Sequence, residues 1–418
     1  MSVEEHACRF CGSRRDFLSA AANALGVSAA LPLLLRETNL AFAANYMAGV
    51  EEKHPNRILV VLELSGGNDG LNTVVPYQNG EYYRLRPTIA VAKNQVLKLG
   101  DEFGLHPNLL GWERLFKDGH MAIVHGCGYP NPNRSHFESM RFWHTGVPNA
   151  PEKYGWVGRF ADANDPEGTE SYIVNIAAEQ SQAVVSEKHS AVVFGNPDRF
   201  IREGSAEQAK MFRELARKRE KGSNASLDFV RSISATAEKS SKFIRTACAE
   251  YRSKADYGYG PIGVTLRQII AQIHAGSAAR VYYTAFGNFD THASQASAQS
   301  GLFNQVGDAV HAFYHELVRI GRADDVALMM FTEFGRRVKE NASFGTDHGV
   351  AGPMFVVGKP VRGGFYSKHP SLTDLDQGDL KMATDFRSVY ATMMKEWMGF
   401  DDTKSVLKAS FPTLGVFG

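Results

Sequence analysis

The sequence predicts an α/β fold in which a doubly wound, mainly parallel sheet carries helices on both faces. Short apolar runs such as residues 57–64 and 326–331 are nearly continuous rather than alternating, which is typical of strands buried on both faces. Segments with helical spacing of apolar residues separate these runs, and such alternation favours parallel pairing. The 418 residues are 44% hydrophobic and 22% charged, which is ordinary for a globular protein.

The N-terminal segment differs in composition from the rest of the chain. The motif Ser13-Arg14-Arg15-Asp16-Phe17-Leu18 precedes a run rich in Ala and Leu, and Ala41-Phe42-Ala43 offers small residues at the spacing that a signal peptidase prefers. This pattern resembles a twin-arginine export signal. We therefore expect residues 1–43 to be a signal peptide that the twin-arginine export machinery recognises. The resemblance implies a bacterial protein that is exported in the folded state and is periplasmic or secreted.

Residues 44–418 are expected to form one α/β domain with a helical insert around residues 205–254. Glu, Lys, Arg and Ser are frequent in this insert, and its apolar residues recur at helical spacing. The apolar run at residues 19–35 is short and contains Pro32, so we expect no stable membrane span in the mature chain. The formal net charge is +1, and no basic stripe is interleaved with aromatic residues, which argues against a nucleic acid partner.

The predicted elements alternate along the mature chain. Apolar, β-branched and aromatic residues place strands at 57–64, 121–125, 172–176, 280–286, 326–331 and 353–358. Helices are expected near 108–117, from Ser135 onward, and at 155–160, 263–274, 304–320 and 384–398. Ser135 and Glu138 have the spacing of a capping box. A further short strand at residues 191–194 is expected to lie outside the main sheet.

Polar residues follow several of these strands at their carboxyl ends, where open α/β sheets bind ligands. The residues concerned are Asp69, Ser135, Asp290, His292, Glu333 and His348. Their carboxylates and imidazoles would repel or desolvate one another at a shared edge, so we expect a divalent cation there. Taken singly, each position has a simpler interpretation as a turn, a helix cap or a solvated loop.

Several motifs together resemble the DUF1501 family of exported bacterial proteins. They are GGNDGLNTVVPY, YPNPNRSHFESM, FDTH, TEFGRRVKENASFGTDHGVAGP and TDFRSVYAT. This family is similar to the alkaline phosphatase superfamily, which includes phosphatases, sulfatases and phosphodiesterases built on one metal-bearing α/β sheet. The resemblance therefore implies an alkaline-phosphatase-like fold.

The resemblance also implies roles for individual residues. Ser135 matches the nucleophile that caps a helix, and the positions that match metal ligands are Asp69, Asp290, His292, Glu333 and His348. Phe334 stands where a metal-binding histidine is expected, which implies that a second metal site is altered or absent. His136 is a candidate replacement ligand, and Asp347 either binds the metal or orients His348 from behind.

Two functions are compatible with these features. The first is an exported metal-dependent hydrolase in which Ser135 attacks a small anionic phosphate or sulfate ester, and Arg134 or Arg336 binds its oxygens. The sequence does not distinguish Zn, Mn, Fe, Mg and Ca as the ion. The alternative is a non-catalytic, metal-stabilised envelope or binding protein on the same fold, which Phe334 favours.

Overall fold

The computed structural model describes His54 and residues 56–200 and 225–418. The predicted export signal and the first part of the predicted helical insert lie outside these residues. The strands, numbered in chain order, are β1 (Ile58–Leu64), β2 (Val74–Val75), β3 (Leu97–Lys98), β4 (Gly104–Leu105), β5 (Met121–Gly128), β6 (Ile173–Ile176), β7 (Val192–Phe194), β8 (Val281–Phe286), β9 (Val326–Phe331), β10 (Gly352–Val357), β11 (Gly364–Tyr366), β12 (Leu375–Asp376), β13 (Asp379–Leu380) and β14 (Thr384–Asp385).

The α-helices of the same residues are numbered separately. They are α1 (Gly70–Thr73), α2 (Gly80–Leu85), α3 (Leu110–Lys117), α4 (His136–Thr145), α5 (Trp156–Asn164), α6 (Ala225–Glu250), α7 (Pro261–His274), α8 (Gln295–Arg319), α9 (Phe386–Thr392) and α10 (Thr403–Leu407). A short π-helix at Met393–Trp397 continues α9.

The main sheet has the strand order β11-β5-β10-β9-β1-β8-β6-β7, with β14 also pairing with β5. Strand β1 lies between β8 and β9 and pairs with both in parallel. Strand β10 is antiparallel to its two neighbours, β5 and β9. The other pairings in this sheet are parallel. The predicted class, a mainly parallel α/β sheet, is therefore confirmed.

Two hydrophobic cores cover the two faces of the sheet. One core joins the sheet to helices α3, α7 and α8, and includes Trp112, Leu266 and Phe313. The other joins it to helices α4, α5 and α9, and includes Trp143 and Tyr390. Because both faces of β1 are covered, all seven of its residues are buried. This burial explains why its sequence is continuously apolar except for one glutamate.

The strand predictions are confirmed in the main sheet, with one correction. Strand β7 was expected to lie outside this sheet, but it pairs in parallel with β6 at the sheet edge. Helix α8 begins at Gln295, well before the expected start. Ser135 is the N-cap residue of α4, although its side chain makes no capping hydrogen bond. Asp385 does cap α9, because its side chain accepts a hydrogen bond from the Arg387 backbone N–H.

The described part of the predicted insert is the helix α6. Among the helices of the described ranges, none is both long enough and apolar enough to cross a membrane.

Candidate functional site

The loops at the carboxyl end of the sheet bring several of the predicted site residues near one another. Asp290 and His292 follow β8, Glu333 follows β9, and His136 begins α4 after β5. His348 lies on the connection between β9 and β10. Because β10 runs antiparallel to β9, this connection begins and finishes at the same end of the strands, the carboxyl end of β9.

Three histidine side chains converge on the carboxylate of Asp290. The Nε2 atoms of His292 and His348 lie 3.0 and 3.2 Å from its Oδ1 atom, and Nε2 of His136 lies 3.4 Å from its Oδ2 atom. The Nε2 atoms of His292 and His348 are 2.9 Å apart. In a tetrahedral zinc site with Zn–N distances of about 2.0–2.1 Å, neighbouring ligand atoms lie about 3.3 Å apart. The four measured contacts, of 2.9 to 3.4 Å, are close to this spacing.

The other ring nitrogen of each histidine faces an oxygen away from the cluster. Nδ1 of His348 donates to the carbonyl oxygen of Arg134 at 2.7 Å, because a carbonyl oxygen can only accept. Nδ1 of His136 lies 2.8 Å from Oε1 of Glu333, and Nδ1 of His292 lies 3.4 Å from Oδ1 of Asp347. Such contacts fix the ring and leave Nε2 as the ligand atom, as is common for metal-binding histidines.

Nε2 of His136 supplies an independent test of whether the residues fit an ion. This atom is buried and makes no hydrogen bond among the described residues, since its 3.4 Å contact with Oδ2 of Asp290 does not have hydrogen-bond geometry. Burying a polar atom without a hydrogen-bond partner or a bound ion lowers the stability of the folded protein. Donor atoms of His136, Asp290 and His348 all lie within 4.8 Å of one another. The cluster therefore fits a metal ion in both geometry and donor chemistry.

Arg336 positions Asp290. Its guanidinium is fully buried and donates to Oδ1 of Asp290 at 2.7 Å. It also donates to the backbone carbonyl oxygens of Gly67, at 2.6 Å, and of Thr346, at 2.8 Å. Burial raises the pKa of Asp290, but the hydrogen bond and charge of Arg336, together with the nearby histidines, outweigh burial and lower it to about 2. This placement differs from the expectation that Arg336 binds substrate oxygens.

Glu333 contacts His136 on the side away from Asp290, and its carboxylate is hydrogen-bonded to backbone N–H groups. Its carboxylate accepts hydrogen bonds from the backbone N–H of Gly66 at 2.9 and 3.1 Å and from that of Gly67 at 3.0 Å. Gly66 has a φ of +117°, and a Cβ atom there would lie 2.5 Å from the backbone nitrogen of Asp290. A glycine is therefore required for this close approach. We interpret Glu333 as the residue that orients His136 and raises its pKa, rather than as a ligand.

The structure does not bring Asp69 into the cluster. Its buried carboxylate forms an ion pair with Arg86 at 2.5 Å and accepts a hydrogen bond from Gln295, also at 2.5 Å. It also accepts from the backbone N–H of Leu71, as the cap of α1. Asp69 therefore stays only a predicted metal ligand, and in the structure its oxygens face an arginine and an amide.

Phe334 is the residue at the position where the resemblance implies a metal-binding histidine. It is buried, and its ring packs against those of His136 and His348, with centroids 4.9 and 4.7 Å away. An apolar ring supplies no ligand atom. The contact instead supports the two imidazoles from one side, and the described residues provide a donor set for one ion.

Ser135, Arg134 and Asp347 border the cluster. Ser135 is exposed and lies between Arg134, whose carbonyl oxygen bonds His348, and His136. The guanidinium of Arg134 forms an ion pair with the buried Asp379. Asp347 is exposed and lies beside His292, so it orients that ring rather than His348. The hydrogen bond from Asn341 and the nearby His292 lower the pKa of Asp347.

Sequence reasoning missed three charged residues near the site. Asp379 begins the short strand β13 and Arg86 directly follows helix α2. Neither belongs to a motif, and nothing in their local sequence indicates that they contact Arg134 and Asp69. Arg337 follows Arg336 directly. In extended backbone, successive side chains point in opposite directions, so the sequence offers two arginines but does not say which one is buried.

The chain belongs to a protein family whose model matches most of its length. Residues 56–410 match the family described as protein of unknown function (DUF1501). The predicted family is therefore confirmed. No curated protein matches the sequence.

Solved structures with a related arrangement include a protein in the alkaline phosphatase superfamily from Vibrio parahaemolyticus. Its sequence is 8% identical, the TM-score is 0.40, and the match covers 84% of this chain and 68% of that one. A sulfatase, PsFucS1, from Pseudoalteromonas sp. is 11% identical with a TM-score of 0.36, covering 88% of this chain and 72% of that one. The lipoteichoic acid synthase LtaP from Listeria monocytogenes is 8% identical with a TM-score of 0.36, covering 80% and 76%. Likeness at this level says nothing about the substrate of this chain.

Proposed function

We propose that this protein is an exported hydrolase of phosphate or sulfate esters that uses one divalent metal ion. The observation that carries this proposal is the convergence of three histidine Nε2 atoms on Asp290, with each Nδ1 facing an oxygen elsewhere. His136, Asp290, His292 and His348 would hold the ion. Three imidazoles suit Zn, Fe or Mn better than Mg or Ca. When bound, such an ion supplies positive charge that stabilises the anionic oxygens of an ester and its leaving group.

Ser135 is the proposed nucleophile. Its hydroxyl makes no capping hydrogen bond, its side chain is exposed, and both of its chain neighbours contact the cluster. In the proposed reaction its oxygen bonds to phosphorus or sulfur as the ester bond breaks, and the alcohol leaves with the proton that serine gives up. Water then cleaves the serine ester and returns the proton to the hydroxyl. Helix α4 begins at this serine, and its N-terminal N–H groups favour developing negative charge.

The proposed location follows from the N-terminal motif. Residues 1–43 would direct the folded chain through the twin-arginine machinery, so that the mature protein acts in the periplasm or outside the cell on a small anionic ester. Folding before export would allow the ion to be taken up in the cytoplasm, because the cluster joins residues from distant parts of the chain.

The proposal is tested by purifying the mature chain, measuring its metal content and assaying p-nitrophenyl phosphate, p-nitrophenyl sulfate and bis-p-nitrophenyl phosphate. We expect about one equivalent of metal and hydrolysis of at least one ester. Chelation should abolish turnover, and re-addition of metal should restore it. Ser135→Ala should lower kcat by about three orders of magnitude or more while metal content stays unchanged. Turnover that is indifferent to this substitution would reject Ser135 as the nucleophile.

The second candidate is a non-catalytic, metal-stabilised envelope or binding protein. The packing of Phe334 against two of the ligand rings favours it, because this side chain replaces ligand chemistry with apolar support. Stoichiometric metal that raises the unfolding temperature, together with no hydrolysis of any of the three esters, would favour this function over the first.

A further inference from the structure

Two arginines share one buried carboxylate next to the proposed metal site. The guanidinium of Arg134 forms an ion pair with Oδ2 of Asp379, and Nε of Arg337 lies 3.8 Å from Oδ1 of the same residue. The side chain of Asp379 is fully buried, whereas 38% of the Arg134 side chain and 37% of the Arg337 side chain are exposed. Asp379 lies on the two-stranded β12–β13 sheet, so a single local element fixes the carboxylate between the two arginines.

The arginines are not saturated by this carboxylate. Nε of Arg134 is buried without a hydrogen-bond partner among the described residues, and so is Oδ1 of Asp379. The 3.8 Å contact of Arg337 is too long for a hydrogen bond. Two guanidinium groups share the carboxylate of Asp379, and part of each arginine side chain remains accessible to solvent. An anion with several oxygens would supply acceptors for the unused donors.

Both arginines are attached to the metal cluster through their backbones. The carbonyl oxygen of Arg134 accepts the hydrogen bond that orients His348, and the backbone N–H of Arg337 donates to the carbonyl oxygen of Asp347 at 3.0 Å. The charge of Arg337 also contributes to the lowered pKa of Asp347. The backbones of the two arginines therefore adjoin the cluster, one after strand β5 and the other on the β9–β10 connection, and their guanidinium groups meet at Asp379.

We propose that Arg134 and Arg337, held by Asp379, form a clamp for the tetrahedral oxyanion head of the substrate. The inference rests on the proposed function and assigns the substrate-binding role to Arg337 rather than to the buried Arg336. Planar, forked guanidinium groups match phosphate or sulfate oxygens in a bidentate manner, which a lysine cannot do. Asp379 is a positioning residue, since it faces the arginines and is shielded from solvent.

The test uses the mature full-length chain with inorganic phosphate and inorganic sulfate as probes, titrated calorimetrically, so that no turnover is required. We expect Arg337→Gln to weaken binding of the preferred anion about 10-fold or more, as for loss of a charge-assisted hydrogen bond. Metal content should not change. Arg141→Gln is the matched control, because Arg141 lies on α4, is similarly exposed and pairs with Glu138. This control should bind the anion as the wild type does.

The clamp is overturned if neither anion binds the wild type, or if Arg337→Gln binds as tightly as the wild type does. If Arg337→Gln fails to fold, Arg337→Lys takes its place, because it keeps the charge but loses the fork. Wild-type affinity in that variant would also overturn the clamp. Where an ester is hydrolysed, Arg337→Gln should raise KM more than it lowers kcat. If Arg337→Gln loses anion binding but the wild type hydrolyses no ester, the clamp is supported and the proposed function is not. If the wild type hydrolyses an ester and Arg337→Gln has an unchanged KM, the proposed function is supported and the clamp is not.

Discussion

Asp69 and Asp290 follow neighbouring strands, β1 and β8, yet their partners give them different roles. Asp69 is buried against Arg86 and Gln295, whereas Asp290 is partly exposed among three imidazoles. Both belong to loops of similar composition. This difference arises from residues elsewhere in the chain. We interpret Asp69 as part of a structural ion pair, and Asp290 is the proposed metal ligand.

Asp69→Asn should therefore destabilise the protein without removing its metal. Loss of the carboxylate leaves the charge of Arg86 buried and unpaired, which typically costs about 3–5 kcal/mol. Urea denaturation of the metal-loaded protein would measure the loss, and elemental analysis would measure the metal. Loss of one metal equivalent with unchanged stability of the metal-free protein would contradict this assignment and restore Asp69 as a ligand.

At this scale the sequence predicts some site residues better than others. Asp290 and His292 directly follow a predicted strand, and His348 lies in a glycine-flanked loop beyond another, so the sequence offers all three as candidates. Asp379 and Arg86 are not, because their roles depend on contacts between segments far apart in sequence. His136 was only a candidate, and its orphaned Nε2 atom becomes visible only when the surroundings of the ring are known.

Among the elements, helix α8 is one whose start the apolar pattern predicts incorrectly. Its apolar periodicity predicts a start near residue 304, but the helix begins at Gln295. Gln295 and Gln299 are buried polar residues in the added turns, and Gln295 bonds the carboxylate of Asp69. A polar sequence thus belongs to a buried helix, because its partners are also polar and buried. Strands β1 and β9 are buried through apolar side chains instead, and their apolar runs predict them correctly.

The carboxylate of Glu316 joins α8 to the end of α6. It accepts hydrogen bonds from Arg319 at 2.8 and 3.0 Å, from the hydroxyl of Tyr251, and from the backbone N–H groups of Lys254 and Ala255 at 3.2 Å. Burial raises its pKa, but these hydrogen bonds outweigh burial and lower the pKa to about 2. The junction is therefore held by a carboxylate that must be ionised.

Stability at this junction should depend on pH in a defined direction. Because the folded pKa lies below the unfolded value of about 4.3, the contribution is complete above that pH and is lost as the pH falls toward 2. Glu316→Gln should cost about 1.5–3 kcal/mol at pH 7, and the difference from wild type should shrink at low pH. Denaturation of both proteins at pH 7 and at pH 3 would measure this difference in the free energy of unfolding. Glu81→Gln, at an exposed pair with Arg84, is the control and should change little. A difference that grows on acidification would refute the assignment.

For the molecule as a whole, the sequence predicts the α/β class and its mainly parallel sheet, since that architecture follows from the alternation of strands and helices. It does not predict that β10 inserts antiparallel between β5 and β9, or that β7 joins the sheet edge. Both depend on which distant strands pair. The division into a signal peptide and one domain remains a prediction.

The export proposal makes a prediction for the intact precursor. Replacing Arg14 and Arg15 with lysine should leave most of the chain in the cytoplasm at its full length, because the twin-arginine pair is the feature that its export route would recognise. Fractionation of bacterial cells followed by immunoblotting would measure this. Arg9→Lys, outside the motif, is the matched control and should be processed normally. Mature protein outside the cytoplasm despite both lysines would contradict the predicted route.

The central position of β1 has a consequence for biogenesis. This strand is made early by the ribosome, yet both of its pairing partners, β8 and β9, come from the final third of the chain. The middle of the sheet therefore cannot assemble until translation is nearly finished, and closing such long loops makes folding slow. During that interval the apolar surface of β1 needs protection from aggregation. A cell that makes this protein would benefit from chaperones that hold the nascent chain in the cytoplasm until its last strands emerge.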